Sequence, residues 1–235
     1  MGIFYNPRII SENLEFYIDA ANSRSYPGSG TTWSDLSGNG NTGTLVNSPA
    51  FSTDNLGYLS FDGTNDHVTI PSTALSSGNE LTFSIWNYGY LPLVTSTVVY
   101  FVNGSSVRML STHLTWSDGN IYFDAGDGSG GSYDRIYKSA FIGGEYVHLG
   151  WHNWVFTKNS SAGTMKIYRD GELWHSGSGL TRPIGTATGT AYIGTTSPTG
   201  AFHKGYISNV SLFDRALSDT EVAQNFNAHR GRFGV

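Results

Sequence analysis

Short runs in which apolar and polar residues alternate recur along the whole chain, and this pattern constrains the fold more than any other feature. In residues 14–19 Leu, Phe and Ile alternate with Glu, Tyr and Asp, and residues 67–70 alternate in the same way. Further runs lie at residues 81–86, 98–102, 107–110, 121–124, 153–157, 164–168, 191–194 and 206–213. A period of two residues is that of a half-buried strand. Many such runs, spaced by roughly ten residues, predict an all-β fold of the sandwich type.

The composition favours strands joined by tight turns over helices with charged outer faces. Charged residues make up 13% of the 235 residues, whereas aromatic residues reach 14% and glycine occurs 30 times. Sandwiches and barrels of this length often form one domain, and no internal repeat or linker divides the sequence. We therefore expect a single domain over residues 1–235, with residues 1–12 as an N-terminal arm.

Two dipeptides predict β-hairpins. Asp170-Gly171 lies between alternating runs, and Asp118-Gly119 lies in similar surroundings. A type I′ turn needs positive φ at both central residues, which Asp-Gly tolerates. Each dipeptide is expected to join two neighbouring antiparallel strands. By contrast, the glycine-rich stretch "GDGSGG" and the later "SAFIGGE" predict a long loop region over residues 125–145.

Only the C-terminal stretch "ALSDTEVAQNFNAHRG" is typical of a helix. Ser218 and Glu221 stand at the spacing of a capping box, and Leu217 and Val222 stand at that of a hydrophobic staple. Val222 lies four residues before Phe226, so both would face the sandwich. The sequence predicts one short helix over residues 218–229.

Charge and composition argue against several classes of partner. The formal net charge is -5 and the basic residues are scattered, so the chain has no electrostatic footprint for nucleic acid. Neither a signal peptide nor an apolar stretch long enough for membrane insertion is apparent, so we expect synthesis in a cytoplasm. Because the chain lacks cysteine, disulfides and thiolate metal sites are excluded.

The residues expected of common enzymes are missing. There is no Gly-x-Ser-x-Gly motif, and His148 and His152 are separated by glycine and tryptophan in strand-like sequence rather than on a zinc-binding helix. A glycosidase needs two carboxyl groups at a set separation, and the six glutamates form no such run. We therefore expect a protein that is not an enzyme.

Acidic loop residues suggest a calcium site at one of two places. Asp62, Asn65 and Asp66, within "FDGTNDHVTIP", could supply oxygen ligands. A second group comprises Asp118, Asp124, Asp127 and Asp134. The alternative is that these residues form turns, because Asp and Asn side chains bond their own backbone. For residues 62–66 we favour the turn and keep calcium, the one cofactor considered, as the minority hypothesis.

Aromatic residues near predicted loops suggest contact with sugars, because a flat ring combines an apolar face with polar edges. Trp86 and Trp154 lie inside strand patterns and are assigned to the core instead. The candidate glycan-binding set is Trp116, Tyr122, Asp124, Tyr133 and Tyr137.

Five stretches in order resemble a known family. They are "LEFYIDAANSRSYPGSGTTWSDLSGNGNTGTL", "LSFDGTNDHVTIP", "LTFSIWNY", "HNWVFTKNSSAGTMKIYRDGEL" and "YIGTTSPTGAFHKGYISNVSLFDRALSDTEVAQNF". Together, from about Leu14 to Phe226, they resemble the laminin G-like jelly rolls of the concanavalin A-like lectin and glucanase superfamily. The resemblance implies two curved antiparallel sheets and a short helix after the strand that ends at Asp214.

Two branches of this superfamily carry motifs that the chain lacks. Pentraxins, which the C-terminal stretch also resembles, bind paired calcium ions on an acidic loop, but residues 194–205 contain no Asp or Glu. The glucanase branch has a glutamate-rich catalytic strand in mid-chain, and none is present here. Both departures favour a role other than pentraxin-type calcium binding or glucanase catalysis.

The two ends of the chain, "FYIDAANSRSYPGSGTTW" and "NFNAHRGRFGV", look most like single-domain versions in tailed-phage virion proteins. This resemblance implies a non-enzymatic virion structural protein, made in the host cytoplasm, that decorates a capsid or forms part of a head or tail fibre. Its expected partners are other virion proteins, further copies of itself and host-surface glycans. The alternatives are a bacterial cell-surface carbohydrate-binding lectin module and a degenerate glycosidase or lyase.

Overall fold

The computed structural model describes residues 7–91, 95–127 and 132–235, which form two antiparallel sheets packed face to face. The strands in chain order are β1 (Leu14–Asp19), β2 (Thr32–Trp33), β3 (Gly43–Val46), β4 (Ala50–Ser52), β5 (Tyr58–Asp62), β6 (His67–Ile70), β7 (Glu80–Gly89), β8 (Thr97–Val102), β9 (Arg108–His113), β10 (Asn120–Ala125), β11 (Asp134–Ser139), β12 (Phe141–Ile142), β13 (Glu145–Tyr146), β14 (Gly150–Asn159), β15 (Thr164–Arg169), β16 (Glu172–Ser178), β17 (Ala191–Ile193) and β18 (Lys204–Phe213). One helix, α1 (Asp219–His229), follows β18.

Each sheet contains eight strands. Sheet I has the order β16-β15-β14-β7-β18-β5-β4, and β1 also pairs with β18. Sheet II has the order β11-β10-β9-β8-β17-β6-β3-β2, and β12 and β13 form a separate hairpin. Consecutive hairpins alternate with pairs that are distant in sequence, such as β7 with β18 and β8 with β17, as in a jelly roll. The prediction of a two-sheet antiparallel jelly roll with one short C-terminal helix is therefore confirmed.

The main core lies between the two sheets. Alternate residues of β7 point into it, including Phe83 and Ile85, and Phe83 stacks on Phe156 of β14, which in turn contacts Phe123 of sheet II. Phe123 of β10 and Ile193 of β17 contribute from sheet II, and all five of these side chains are fully buried. The alternation in the sequence thus predicted which residues form this layer.

A second apolar layer covers the outer face of sheet I. Trp86 points outward from β7 and stacks on Phe233 at 4.1 Å between ring centroids and on Phe226 of α1 at 5.7 Å. Trp151 of β14 packs beside them against Phe233. Trp86 is buried, as predicted, but by the C-terminal segment rather than by the opposite sheet.

Helix α1 begins where the sequence predicts. The Ser218 hydroxyl accepts a hydrogen bond from the Glu221 N–H, and the Glu221 carboxylate accepts one from the Ser218 N–H, which completes the capping box. Leu217 and Val222 are buried in one apolar cluster, as a hydrophobic staple requires. Both the helix and its start are therefore confirmed. The described helices include none that is long and apolar enough to cross a membrane.

The described part of the N-terminal arm lies along α1. The Ile10 N–H donates to Asn225 Oδ1 at 2.7 Å, and Gln224 Nε2 donates to the Arg8 carbonyl at 2.8 Å. Residues 1–6 of the predicted arm lie outside the described residues.

Both predicted hairpins join neighbouring antiparallel strands. Asp170 and Gly171 have φ of 53° and 82° and connect β15 to β16, as the type I′ prediction requires. Between β9 and β10 only Gly119 has positive φ, at 79°, and its N–H donates to the Trp116 carbonyl. The second connection is therefore longer than the two-residue turn that Asp118-Gly119 predicted.

The prediction of a loop over residues 125–145 is wrong for its second half, which contains β11, β12 and the start of β13. Strand β11 pairs with β10 along residues 134–139 and forms the edge of sheet II, and residue 141 begins the β12–β13 hairpin. Ile136 points into the core, whereas Arg135 and Tyr137 point to solvent. An edge strand buries only one face and can carry many charged residues. In β11 these charged residues obscure the alternation that would have predicted a strand. Residues 128–131 of the glycine-rich stretch lie outside the described residues.

Candidate functional site

A cleft of about 190 Å³ opens on the outer face of sheet II, over strands β9, β10 and β11. Cross-strand pairing sets its composition, because Tyr122 of β10 lies between His113 of β9 and Tyr137 of β11, and Asp124 lies between Ser111 and Arg135. Directly paired residues point to the same face of a sheet. The side chains that line this arginine cleft are Arg108, His113, Trp116, Asp118, Tyr122 and Arg135.

A buried carboxylate with two arginines forms the floor of the arginine cleft. Asp124 has 0% exposure, and Arg135 donates to both of its oxygens, from Nε at 2.6 Å and from Nη2 at 2.8 Å. Arg108 Nη1 also donates to Asp124 Oδ2. Bidentate contacts of this kind hold a guanidinium in a defined plane. We call Arg108, Asp124 and Arg135 the charge triad.

Tyrosine rings surround the two guanidinium groups. Arg108 lies 4.9 Å from the ring centroid of Tyr133, and Arg135 lies 4.8 Å from that of Tyr122. Arg135 also donates to the Tyr133 hydroxyl at 3.1 Å. Tyr122 in turn stacks on Tyr137, with centroids 5.2 Å apart and an angle of 24° between the planes. Cation–π contacts and stacking therefore fix the rings as well as the arginines.

Asp118 forms the rim of the cleft. The Tyr122 hydroxyl donates to Asp118 Oδ2 at 2.6 Å, and the Asn120 N–H donates to Oδ1 at 3.0 Å. Partial burial raises the pKa of Asp118, but these hydrogen bonds outweigh burial and the net pKa is lowered. Asp118 is therefore ionised at neutral pH.

His113 contributes a neutral ring to the cleft wall. Burial lowers its pKa to about 4; Asp124 opposes the shift, and Arg108 and Arg135 add to it. Its Nδ1 lies 3.0 Å from the Thr97 hydroxyl, and its ring meets Trp116 edge to face at 4.4 Å. At neutral pH the imidazole serves as packing for Trp116 and not as a charge.

The structure brings together all five residues of the predicted glycan-binding set. Trp116 and Tyr122 line the cleft, Tyr133 and Tyr137 contact its arginines and rings, and Asp124 lies beneath them. Asp124 is not a loop residue, however. It lies in β10 with its carboxylate fully buried, so it acts on a ligand only through the arginines that it holds.

Sequence reasoning missed Arg108, His113 and Arg135. Arg108 lies in a predicted strand and Arg135 in the predicted loop of residues 125–145, and only the pairing of β9, β10 and β11 brings their side chains to one carboxylate. Asp124 and Arg135 have opposite charges and lie directly opposite each other on β10 and β11. Their charges could have suggested this cross-strand pair if the register of the two strands had been known.

The four acids of the second predicted calcium cage do not converge in the described part of the chain. Asp118 accepts from Tyr122, Asp124 is held by arginines, and Asp134 pairs with the buried Lys158 at 2.6 Å. Asp127 lies 3.5 Å from Arg182. Within residues 7–91, 95–127 and 132–235, no three histidine or acidic side chains converge closely enough to hold a metal ion. His148 and His152, the other pair considered for metal, belong to no such group.

Residues 62–66 form a tight turn between β5 and β6. Asp62 Oδ1 accepts hydrogen bonds from the N–H groups of Thr64, Asn65 and Asp66 at 2.7, 3.2 and 3.4 Å. Asp66 Oδ2 accepts from the Asp62 N–H at 3.2 Å, and burial and the nearby Asp62 raise the pKa of Asp66. The carboxylates are thus engaged by the backbone, as the turn hypothesis predicts, and calcium binding by Asp62, Asn65 or Asp66 stays a prediction.

Two uncharged hollows continue the outer face of sheet II away from the arginine cleft. One of about 450 Å³ lies beside Tyr100 and Tyr192, and one of about 440 Å³ lies beside Thr44 and Thr69. The two share Thr190, and Arg108 packs 5.6 Å from the Tyr100 ring. Their lining consists of hydroxyl, amide, aromatic and apolar groups without a charged side chain.

Known proteins share this architecture. The sequence profile described as the concanavalin A-like lectin/glucanases superfamily, laminin G type, matches residues 62–223. No curated protein sequence matches the chain.

Three solved structures with the same fold have 15–17% sequence identity to the chain. The binding domain of botulinum neurotoxin serotype G is 15% identical, with a TM-score of 0.70 over 91% of this chain and 50% of that one. The ligand-binding domain of serotype D, solved with N-acetylneuraminic acid, is 16% identical, with a TM-score of 0.70 over 92% and 51% of the two chains.

Domain 4 of an extracellular GH43 arabinanase from Geobacillus stearothermophilus, solved with arabinotriose, is 17% identical, with a TM-score of 0.68 over 91% of this chain and 98% of that one. The chain thus spans about half of the neurotoxin binding domains and nearly all of the arabinanase domain. At these identities the likeness shows the fold. Because the family profile covers more than half of the sequence and the two sheets have the expected arrangement, the chain belongs to the concanavalin A-like lectin and glucanase superfamily, in its laminin G-like family.

Proposed function

We propose that this protein is a carbohydrate-binding domain that holds a glycan on the outer face of sheet II, with the arginine cleft as its central contact. The observation that carries the proposal is the cleft itself, where half-buried aromatic rings stand beside fixed hydrogen-bond donors and acceptors. Sugars present apolar ring faces and polar hydroxyl edges, and a site of this composition complements both.

The side chains of the cleft are held in fixed positions, which favours ligand binding. Asp124 fixes both guanidinium groups, and stacking fixes Tyr122 and Tyr137, so little side-chain freedom is left to lose when a ligand binds. The neighbouring hollows extend the hydroxyl-rich surface across β8, β17, β6 and β3. Two proteins of the same fold, the serotype D neurotoxin domain and the arabinanase domain, were solved with sugars.

The proposal includes a role without catalysis. A glycosidase requires a carboxyl group that can donate a proton and a second carboxylate nearby. Asp124 is held by two arginines beneath the surface, and Asp118 has a lowered pKa, which suits a hydrogen-bond acceptor better than a general acid. The degenerate glycosidase or lyase is the weaker alternative for this reason.

A finer proposal concerns the setting of the domain. We propose that it is a virion structural protein that assembles as a homo-oligomer with other virion proteins, and the support is the sequence resemblance at the two ends of the chain. The alternative is a lectin module at a bacterial cell surface. Protein mass spectrometry of purified particles distinguishes the two settings, and light scattering that finds a monomer at high concentration would contradict the oligomer.

A glycan array followed by calorimetry tests the binding function. The native protein is expected to bind at least one oligosaccharide, and Trp116→Ala is expected to weaken that binding about tenfold or more, as for a central aromatic contact. Tyr206→Ala, on the outer face of the other sheet, is the matched control and should leave the affinity unchanged. Binding to no glycan, or equal loss in both variants, would contradict the proposal.

A further inference from the structure

The charge triad has a surplus of one positive charge, and that surplus faces the solvent. Two guanidinium groups share a single carboxylate, and the carboxylate has 0% exposure, whereas the side chains of Arg108 and Arg135 are 21% and 38% exposed. The negative group is thus beneath the surface and the positive groups reach it. A ligand in the cleft meets the positive end of this arrangement.

A second charged cluster shows what a balanced arrangement looks like. Asp134 also lies near two cations, Lys158 at 2.6 Å and Arg182 at 3.9 Å. Arg182 lies 3.5 Å from Asp127 as well, so that two carboxylates balance two cations there. Among the described residues, no second carboxylate plays this part in the charge triad. Asp118, the other acid of the cleft, makes no ion pair with Arg108 or Arg135 among the described residues.

The arginines also keep unused donors. Arg108 uses Nη1 on Asp124, and Arg135 uses Nε and Nη2, while Nη2 of Arg108 and Nη1 of Arg135 have no acceptor among the described residues. A guanidinium with free N–H groups binds a pair of anionic oxygens in a bidentate manner. Fixed donors with surplus positive charge favour an anionic acceptor over a sugar hydroxyl.

We propose, on the basis of the proposed glycan-binding function, that the ligand is an acidic glycan whose anionic oxygen group, a carboxylate or a sulfate, binds to Arg108 and Arg135. The rest of the chain of sugars lies on uncharged surface, because the neighbouring hollows contain no charged side chain. The site therefore selects for an anionic group at the cleft, and the neighbouring surface requires no further charge on the ligand.

The test uses matched pairs of polysaccharides and the intact protein. Polygalacturonate, alginate, hyaluronan and polysialic acid supply carboxylates, and carrageenan supplies sulfate; each is compared with its carboxyl-reduced or desulfated form. Arabinan, mannan and dextran represent neutral glycans. We expect at least one acidic polymer to bind. The affinity of its neutralised form should be lower by a factor of about ten or more, as the loss of a charge-assisted hydrogen bond predicts. Which acidic polymers bind identifies the anionic group.

Two further measurements separate this site from general charge effects. Arg108→Gln is expected to remove most of the preference for the acidic form, whereas Arg24→Gln, an equal charge change in the exposed loop before β2 at the far edge of sheet II, should keep it. Thermal melts check that both variants are folded. The comparison of acidic and neutralised polymers on the native protein requires no variant, so it decides the inference even if Arg108→Gln is unstable.

The outcomes distinguish this inference from the function on which it rests. If neutral glycans bind best, or if neutralisation leaves the affinity unchanged, the acidic ligand is wrong and glycan binding stands. If no polymer in either set binds, the glycan-binding proposal itself fails. If Arg24→Gln reduces the preference as much as Arg108→Gln, the charge triad is not the site of selection.

Discussion

At the scale of single residues, burial changes what a charged side chain can do. Asp124 and Asp118 lie on the same face of the same hairpin, but Asp124 is fully buried and Asp118 is on the rim. The cost of burying the Asp124 carboxylate is offset by three donors from two arginines. Asp124 therefore organises the cleft, while Asp118 remains free to accept hydrogen bonds from a ligand.

Replacement of Asp124 is expected to destabilise the fold. Asp124→Asn removes the counter-charge between Arg108 and Arg135 and should lower the free energy of unfolding by about 2–4 kcal/mol, near the range for a broken buried ion pair. Both arginines keep some solvent exposure, which limits the loss. Urea denaturation measures the change. Asp118→Asn is the control and should cost less than about 1 kcal/mol; an equal loss in the two variants would contradict the role assigned to Asp124.

The turn at residues 62–66 gives a test at the same scale. Because the Asp62 carboxylate already accepts three backbone N–H groups, we expect no calcium-dependent gain in stability. Thermal melts in calcium chloride and in chelator should therefore coincide. A higher Tm in calcium, abolished by Asp66→Asn, would establish the calcium site that Asp62, Asn65 and Asp66 could supply.

The turn was predictable from the sequence, but the arginine cleft was only partly so. Asp and Asn form turns through contacts within a few residues, so local sequence is sufficient for residues 62–66. Arg108 and Asp124 are 16 residues apart, and their contact depends on the register between two strands. Nothing near either residue indicates that pairing.

At the scale of elements, α1 is the part of the fold whose limits follow most directly from local chemistry. Ser218 and Glu221 satisfy the first free N–H groups, and Leu217 and Val222 fix the direction of entry. These contacts lie within the six residues 217–222, which is why the predicted start of the helix matches the observed one.

The capping box can be tested by one substitution. Ser218→Ala removes the hydroxyl that accepts the Glu221 N–H and should lower the free energy of unfolding by about 1 kcal/mol, as is usual for this position. Thr220→Ala, an exposed position in the first turn without a capping contact, is the matched control and should be neutral within about 0.5 kcal/mol. If both variants unfold at the same urea concentration as the native protein, the box contributes nothing.

Strand β11 shows why edge elements are harder to predict than central ones. A central strand such as β7 buries residues on both faces, and its apolar residues alternate clearly with small polar ones. Strand β11 buries Ile136 alone in the main core and carries Asp134, Arg135 and Lys138. Because β11 is held in the sheet by its pairing with β10, it needs few apolar residues of its own, and its sequence therefore resembles that of a loop.

At the scale of the whole molecule, three buried histidines make stability depend on pH. Burial lowers the pKa of His113 and His148 to about 4 and that of His203 to about 3. The ordinary value in an unfolded chain is about 6.5. Below that pH the unfolded state binds protons that the folded state does not, so the free energy of unfolding falls as the pH is lowered.

Between pH 7 and pH 5 each of the three histidines is expected to lower the free energy of unfolding by on the order of 2 kcal/mol. Urea denaturation at the two pH values measures the total. His203→Asn should reduce the difference, because the His203 ring is fully buried and contacts Ser96 and Asn87. Equal stability at pH 7 and pH 5 would contradict this prediction.

The extent of the domain is also tested at this scale. Because both sheets contribute to one core, we expect residues 1–235 to unfold in a single cooperative transition. Coincident transitions by tryptophan fluorescence and circular dichroism would support one domain. Two separated transitions would contradict it.

Local patterns in the chain were sufficient to predict the class of fold, the helix and its cap, the strand pairs at both hairpins and the aromatic set later found at the cleft. These features depend on side-chain period, on turn chemistry and on motifs in order, all of which are local or are carried by the resemblance. Three features could not be predicted in this way: Trp86 is covered by Phe233, β11 is a strand, and two arginines share Asp124. Those outcomes depend on strand register and on which face of a sheet is covered, and both are set by residues distant in sequence.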